Sequence, residues 1–442
     1  MRLVEGLQIT APAVLAIVGA GGKTTTLFRL AREIEGPVFV TTTTHLGVEQ
    51  GALADRHVIL SDSDNFLQFL HVPNEKVTLF SGEPTSEPRL PGIGKGRLET
   101  LCEFCLERKV SLLIEADGAR GLPLKAPTSH EPAIPEWVNA VILVAGMQGL
   151  GKPLTAEYVH RPEQFSRLSG LGQGERITPE AISKVMLDPE GGLKNIPAGA
   201  RQIVLLNQAD SDELKAHAGK IAGTLTEKFH ATLVGALRNE GKDEIAACYK
   251  PIGAIILAAG AAERYGRPKP LLEWQGETFI RRIARTAMEA GLSPVIVVTG
   301  RAGDEVASAV AGMPVPVAFN PDWQTGQASS VKTGLKALPA TCGAAVFLLA
   351  DQPQVTPTIL TAELEVHRKS LPPVVAPLID SRRANPVLFD RVVFSALNEI
   401  SGDSGGRQVF GRFPVTWLEW NDMNLLLDVD TPQDYARLLE LK

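Results

Sequence analysis

The chain has 442 residues, 44 Lys and Arg against 50 Asp and Glu, a net charge of -6 and 44% hydrophobic residues. This length exceeds one ordinary core and predicts two or three globular domains. The acidic balance offers no basic face for nucleic acid, and Met1 to Thr10 lacks the apolar stretch of a signal peptide. The longest apolar runs, near Ala11–Ala20 and Ile252–Ala262, fall short of the roughly 18 residues of a membrane helix. Four cysteines are not a disulfide framework. The expectation is a cytoplasmic protein with neither nucleic acid nor membrane as partner.

Short β-rich runs alternate with segments of helical period, which predicts an α/β fold with parallel sheets. The first run, Val14–Val18, enters Gly19-Ala-Gly21-Gly22-Lys23-Thr24-Thr25-Thr26 and a helix. Glycine amides, a Lys and hydroxyls at a helix N-terminus are the parts of a phosphate site. Ile17 stands where the longer form of that motif has its first Gly, so the loop is short, like that of Mur-type ligases. Val38–Thr42 leads into Thr41–Thr44 and His45, which either face the same phosphates or, for His45, lie inside the core. Ser81–Gly96 reads as a surface loop. Gly96–Lys109 reads as an amphipathic helix with Cys102 and Cys105 on its packed face rather than as a zinc site. Leu112–Glu115 ends in Glu115 and Asp117, two carboxylates suited to magnesium beside a phosphate loop. Ala140–Val144 and Gln202–Leu206 follow, the latter running into Asn207-Gln-Ala-Asp210. Those residues read either as a base-recognising pair or as a strand-end turn.

The domain boundary is expected within Gly241–Pro251, giving domains 1–248 and 249–442. The second domain restarts the pattern at Ala254–Leu257, followed by Leu257-Ala258-Ala259-Gly260, Arg264 and Lys269. Small residues admit a nucleotide to the backbone, and two cations meet the departing pyrophosphate. Further strands are expected at Pro294–Thr299, Val315–Phe319, Ala344–Leu349 and Val374–Pro377. Helices are expected at Thr278–Ala290 and Gln327–Leu338. Asp351 ends a buried strand, where open α/β sheets place their ligands, and suits magnesium. Asp428 and Asp430 offer further carboxylates, although Thr431–Asp434 also reads as a helix cap. Gly402-Asp403-Ser404-Gly405-Gly406-Arg407 offers amides and a guanidinium to an acceptor.

Two family resemblances follow from these strings. Residues 251–442 resemble the molybdenum cofactor cytidylyltransferase family, of the MocA type, through LAAGAAERYGRPKPLL, NPDWQTGQASSVKTGL, LLADQPQVT, NPVLFDR, SGDSGGR and DVDTPQD. That resemblance implies a Rossmann-like nucleotidyltransferase using Mg2+. It would transfer CMP from CTP to the terminal phosphate of molybdopterin. It implies Gly326, Ser329 and Ser330 at the nucleotide and Asn385 and Pro386 at the acceptor, although Ala384-Asn385 replaces the family's frequent Gly-His. Residues 10–240 resemble the YqeC type of selenium-dependent molybdenum hydroxylase accessory proteins, through GAGGKTTT, TTTTH, EADGARGLPLKAPTSHEPAIP and HRPEQF. Together they imply a P-loop NTPase-like domain with a second NTP, ATP or GTP, fused to the transferase. Two other functions compete: a nucleotide-switched carrier that hands cofactor to an apo-hydroxylase, or a nucleotidyltransferase for another phosphorylated acceptor.

Overall fold

The computed structural model describes residues 1–238, 244–260 and 268–441. The chain forms two compact units, Met1–Tyr249 and Lys250–Lys442. No described helix is long and apolar enough to cross a membrane.

The first unit is built on a sheet of nine described strands: β1 (Val14–Gly19), β2 (Val38–Thr42), β3 (Arg56–Leu60), β4 (Val77–Gly82), β5 (Ser111–Glu115), β6 (Ala140–Gly146), β7 (Arg201–Asn207), β8 (Ala231–Gly235) and β9 (Ile245–Tyr249). Their spatial order is β9-β8-β7-β6-β1-β5-β2-β4-β3. All neighbours are parallel except the β8–β9 pair. β1 is central and wholly buried because both sheet faces are covered, which is why it reads as an unbroken apolar run. Two apolar clusters that share Leu143 lie side by side on one face, and the buried Leu15, Ile17, Ile142 and Leu205 point to the other. Helix α1 (Lys23–Glu33) follows β1, and α2 (Lys95–Arg108) buries Leu98, Leu101, Cys102 and Cys105. Burial raises the Cys102 thiol to about 11, so it is an inert core side chain. The expected Ser81–Gly96 loop contains a short strand, Arg89–Pro91, paired with His45–Gly47.

The second unit carries β10 (Ile252–Ala258), β11 (Val295–Thr299), β12 (Val317–Phe319), β13 (Ala344–Leu349), β14 (Val374–Ile379), β15 (Arg382–Arg383), β16 (Val387–Asp390) and β17 (Val415–Glu419). Their order is β12-β11-β10-β13-β16-β14-β15, with β17 also paired to β14. β10 lies between β11 and β13, parallel to both, and β16 runs antiparallel to β13. Side chains of β10 alternate: Ala254, Ile256 and Ala258 enter one cluster, Ile255 the opposite one. At the start of this unit, Lys250 Nζ and His367 Nε2 each lie 2.8 Å from Asp390 Oδ2, all three fully enclosed. Burial opposes charge on Asp390, but the hydrogen bond from His367 and the Lys250 ammonium outweigh it and hold the carboxyl at about 2.

Candidate functional sites

In the second unit, β10 and β13 are parallel neighbours, so the segments after their C-terminal ends open on one cavity of about 420 Å³. Its wall includes Leu257, Ala258, Ala259 and Gly260 from the first segment and Asp351 from the second. Lys269, Gly326 and Ser330 complete it. Arg264 lies outside the described residues. Among the described residues, a side chain at Gly260 would meet nothing within 4 Å. Lys269 Nζ lies 3.7 Å from Asp351 Oδ2 and also bonds Asp430. The amide of Val429 donates to the Asp351 carbonyl at 3.2 Å, which brings the Asp428–Asp430 segment alongside. The Gln352 amide donates to Asp428 at 2.5 Å.

Burial raises the Asp351 carboxyl to about 6. Lys269 opposes that rise, while Asp428 and Asp430 add to it. A carboxylate held high by enclosure and like charges is poised for a cation. Among the described residues, no three His, Cys, Asp or Glu side chains form a closed metal cage. One or two carboxylates completed by substrate phosphates is the arrangement magnesium uses, so the donor set fits that ion.

A second cavity, of about 540 Å³, shares Leu257, Gln327, Leu349 and Asp403 with the first. Phe347, Phe389 and Phe410 line it, with Asn385, Ser404, Gly406 and Arg407. Phe347 meets Phe389 edge-on at 5.5 Å. The two cavities are held together by glycine packing. A Cβ on Gly326 would lie 2.6 Å from Asp403 and Gly402, and one on Gly405 2.4 Å from Gln327. The expected Gly turn at Gly402–Arg407 is thus a packed run of 3₁₀ turns, Gly402–Gly411, against the start of the helix Gln327–Ala337. Gly402, Gly405 and Pro386 do not line this cavity. Ser330 lines the first cavity, but the expected companion Ser329 does not. Its hydroxyl is occupied by Asn320, Asp322 and Gly326. Gln327 falls within the stretch Gly326–Ser330 expected near the nucleotide, whereas the aromatic floor and Trp323 were not read from the sequence, since isolated aromatics carry no spacing signal.

In the first unit, Gly19, Gly21 and Gly22 all have positive φ, at 95°, 80° and 120°. A Cβ at Gly21 would lie 2.3 Å from the Gly146 amide, so only glycine fits. Lys23 points back over this turn, donating to the Gly19 carbonyl at 3.0 Å. Its Nζ lies 3.3 Å from Asp117 and 3.7 Å from Glu115. Thr24 donates to Glu115 at 3.0 Å, and the Gly19 amide donates to Asp117 at 3.0 Å. The structure therefore brings Gly19, Gly21, Gly22, Lys23, Thr24, Glu115 and Asp117 together. Burial raises the Glu115 carboxyl against the pull of Lys23 and Thr24. Thr25 does not line the adjoining cavity. Asn207 is a brace: its amide donates to the Gly21 carbonyl at 2.8 Å and accepts from the Leu237 amide at 3.1 Å. Asp210 lies apart, exposed, and accepts from Gln148 at 3.2 Å. His45 is exposed on a cavity wall, so the interior reading of it fails.

Sequence reasoning also missed the continuation of this cluster. Lys125 Nζ donates to Asp117 at 2.8 Å and to Glu131 at 3.0 Å. Arg161 grips Glu131 with two bonds of 2.7 and 2.9 Å. Burial alone would raise Glu131, but Arg161 and Lys125 hold it at about 2.

The fold and site of the second unit define a nucleotidyltransferase, an enzyme. Residues 15–163 match the YqeC protein family, to which the chain belongs, and residues 254–416 match the MobA-like NTP transferase domain. The Escherichia coli K12 protein YqeC is 33% identical over 200 residues, 45% of this chain and 76% of that protein. The Escherichia coli K12 molybdenum cofactor cytidylyltransferase is 27% identical over 191 residues, 43% of this chain and 96% of that enzyme. A probable molybdenum cofactor guanylyltransferase of Bacillus cytotoxicus is 25% identical over 210 residues, 44% of this chain and 98% of that protein.

Proposed function

We propose that the second unit transfers CMP from CTP to the terminal phosphate of molybdopterin, releasing pyrophosphate. The observation that carries this reading is the pair of adjoining cavities, one lined by the Ala258–Gly260 backbone, Lys269 and Asp351, the other floored by phenylalanines. The first suits a triphosphate; the second suits a planar ring with polar edges, offered aromatic faces and the Arg407 guanidinium. The Leu257-Ala-Ala-Gly260 string, where guanylyl relatives usually read Leu-Ala-Gly-Gly, supports cytidine.

The acceptor phosphate is already an anion at neutral pH, so it attacks the α-phosphorus without a general base. The bond from that phosphorus to the bridging oxygen breaks, and pyrophosphate leaves with the electron pair. Lys269 stabilises charge growing on the leaving group, and amides after β10 orient the triphosphate. Asp351 would hold magnesium, with Asp428 or Asp430 as the second carboxylate. When bound, that ion supplies positive charge to the phosphates.

The first unit is proposed as a P-loop-like NTP site, with Lys23 and the α1 N-terminus for phosphates and Thr24, Glu115 and Asp117 for magnesium. Both units would then serve the maturation of molybdenum hydroxylases. The test is pyrophosphate release by the full chain with magnesium, molybdopterin and each NTP in turn. CTP should be preferred; release with no NTP overturns the transferase reading, and equal release with GTP overturns cytidine specificity.

A further inference from the structure

A cavity of about 1430 Å³ adjoins the phosphate loop of the first unit. Single-ligand pockets commonly span about 300–1,000 Å³, so this one has room beside a nucleotide for a second molecule. Lys23 and Glu115 form one part of its wall. Arg120, His160 and Arg161 form another. Arg161 is the N-cap of the helix Pro162–Ser169, and Arg120 lies on the turn after β5. Both hold left-handed backbone conformations, φ 68° and 51°, which non-glycine residues rarely adopt without a local reason. Arg161 is fixed by its two bonds to Glu131, and Lys125 neutralises the same carboxylate. Lys125 is shared with Asp117, so Asp117 and Glu131 balance Lys125 and Arg161. Arg120 is the added cation, exposed and without a carboxylate partner among the described residues. The field registers on His160: burial, then Arg161, Lys125 and Arg120, push its imidazole down to about 4. At neutral pH it is therefore an uncharged ring among cations, able to donate one hydrogen bond and accept another. Acidic groups elsewhere on the wall, Glu49 and Glu163, do not join these ion pairs.

We propose that this part of the cavity binds the oxyanion group, phosphate or carboxylate, of a second substrate that sits beside the nucleotide. Guanidinium groups match such ions through paired hydrogen bonds. The proposal rests on the reading of the phosphate loop as an NTP site, and the test separates the two. The full chain, saturated with magnesium and the β,γ-imido analogue of ATP, is titrated calorimetrically with inorganic phosphate and, separately, with acetate. Saturable binding is expected for one or both, and the tighter identifies the oxyanion type. Arg120→Ala should weaken it at least tenfold, and Arg120→Lys less, with the melting temperature and the analogue's affinity unchanged. Binding untouched by Arg120→Ala, or anions that compete with the analogue, overturns the proposal. Failure of the nucleotide reading looks different: the analogue then fails to bind, or binds Lys23→Ala as well as wild type. Phosphate titration without nucleotide still reports on Arg120 in that case.

Discussion

In each unit a buried parallel strand, β1 or β10, runs into small residues, yet the surroundings of the two strand ends differ. After β1 the backbone is wedged. Three glycines of positive φ press against Gly146, Val144 and Asn207, and the lysine is folded back between two carboxylates. After β10 the described backbone, Ala258–Gly260, lines a cavity whose cation is Lys269. A wedged loop with a sequestered lysine must exchange ion pairs before it can hold a phosphate, which makes it sensitive to whether ligand is present. Lys269 is paired too, with Asp430, but on a partly exposed wall where exchanging that partner for a phosphate costs less.

The comparison breaks most sharply at Asp351. Asp351→Ala should lower pyrophosphate release by about 100- to 1,000-fold, the usual cost of losing one electrostatic contact to a transition state. Nucleotide binding at the first unit should persist; retained turnover removes Asp351 from the site. Next comes Gly21→Ala, where left-handed strain and a clash with Gly146 should cost about 2–3 kcal/mol. A thermal melt checks the cost, and nucleotide binding by the first unit should fall while transfer continues. Asn207→Ala removes the brace on Gly21 and should cost about 1–2 kcal/mol by the same measurement.

Acid sharpens the other side. Asp351 titrates near 6, above its ordinary value, so in metal-free protein its protonation favours the folded state at low pH, a contribution lost as pH rises through about 6. Metal binding needs the carboxylate and competes with the proton, so at subsaturating magnesium transfer should fall up to tenfold per pH unit on the acid side, and added magnesium should move that fall to lower pH. A profile at subsaturating magnesium that stays flat from about 5 to 8 would falsify the assignment. The smallest effect belongs to Gly260→Ala, whose added methyl meets no neighbour among the described residues and should change the melting free energy by no more than about 0.5 kcal/mol.

Much of this was legible from spacing. The strands flanking both loops were found because buried parallel strands read as apolar runs, and Val38–Thr42 and Ala344–Leu349 were found to the residue. Strands missed were mostly peripheral or antiparallel, such as Arg56–Leu60 and Val415–Glu419, whose mixed composition reflects partial exposure. Site residues carried by contiguous motifs, Lys23 and Asp351 among them, could be named in advance. The phenylalanine floor and the Lys125–Glu131–Arg161 chain are assembled from distant positions. Asn207 shows a subtler limit: its motif suggested recognition of a base, but burial against Gly21 makes it part of the loop's frame.

The enclosed contact of Lys250 and His367 with Asp390 bears on how the transferase could be isolated. The family match begins at residue 254 and β10 at Ile252, so a boundary drawn from either would sever Lys250. Such a fragment would keep every cavity residue yet lose a buried counter-charge, a loss that commonly costs about 3–5 kcal/mol. A fragment meant to work alone should therefore begin at Lys250 or earlier.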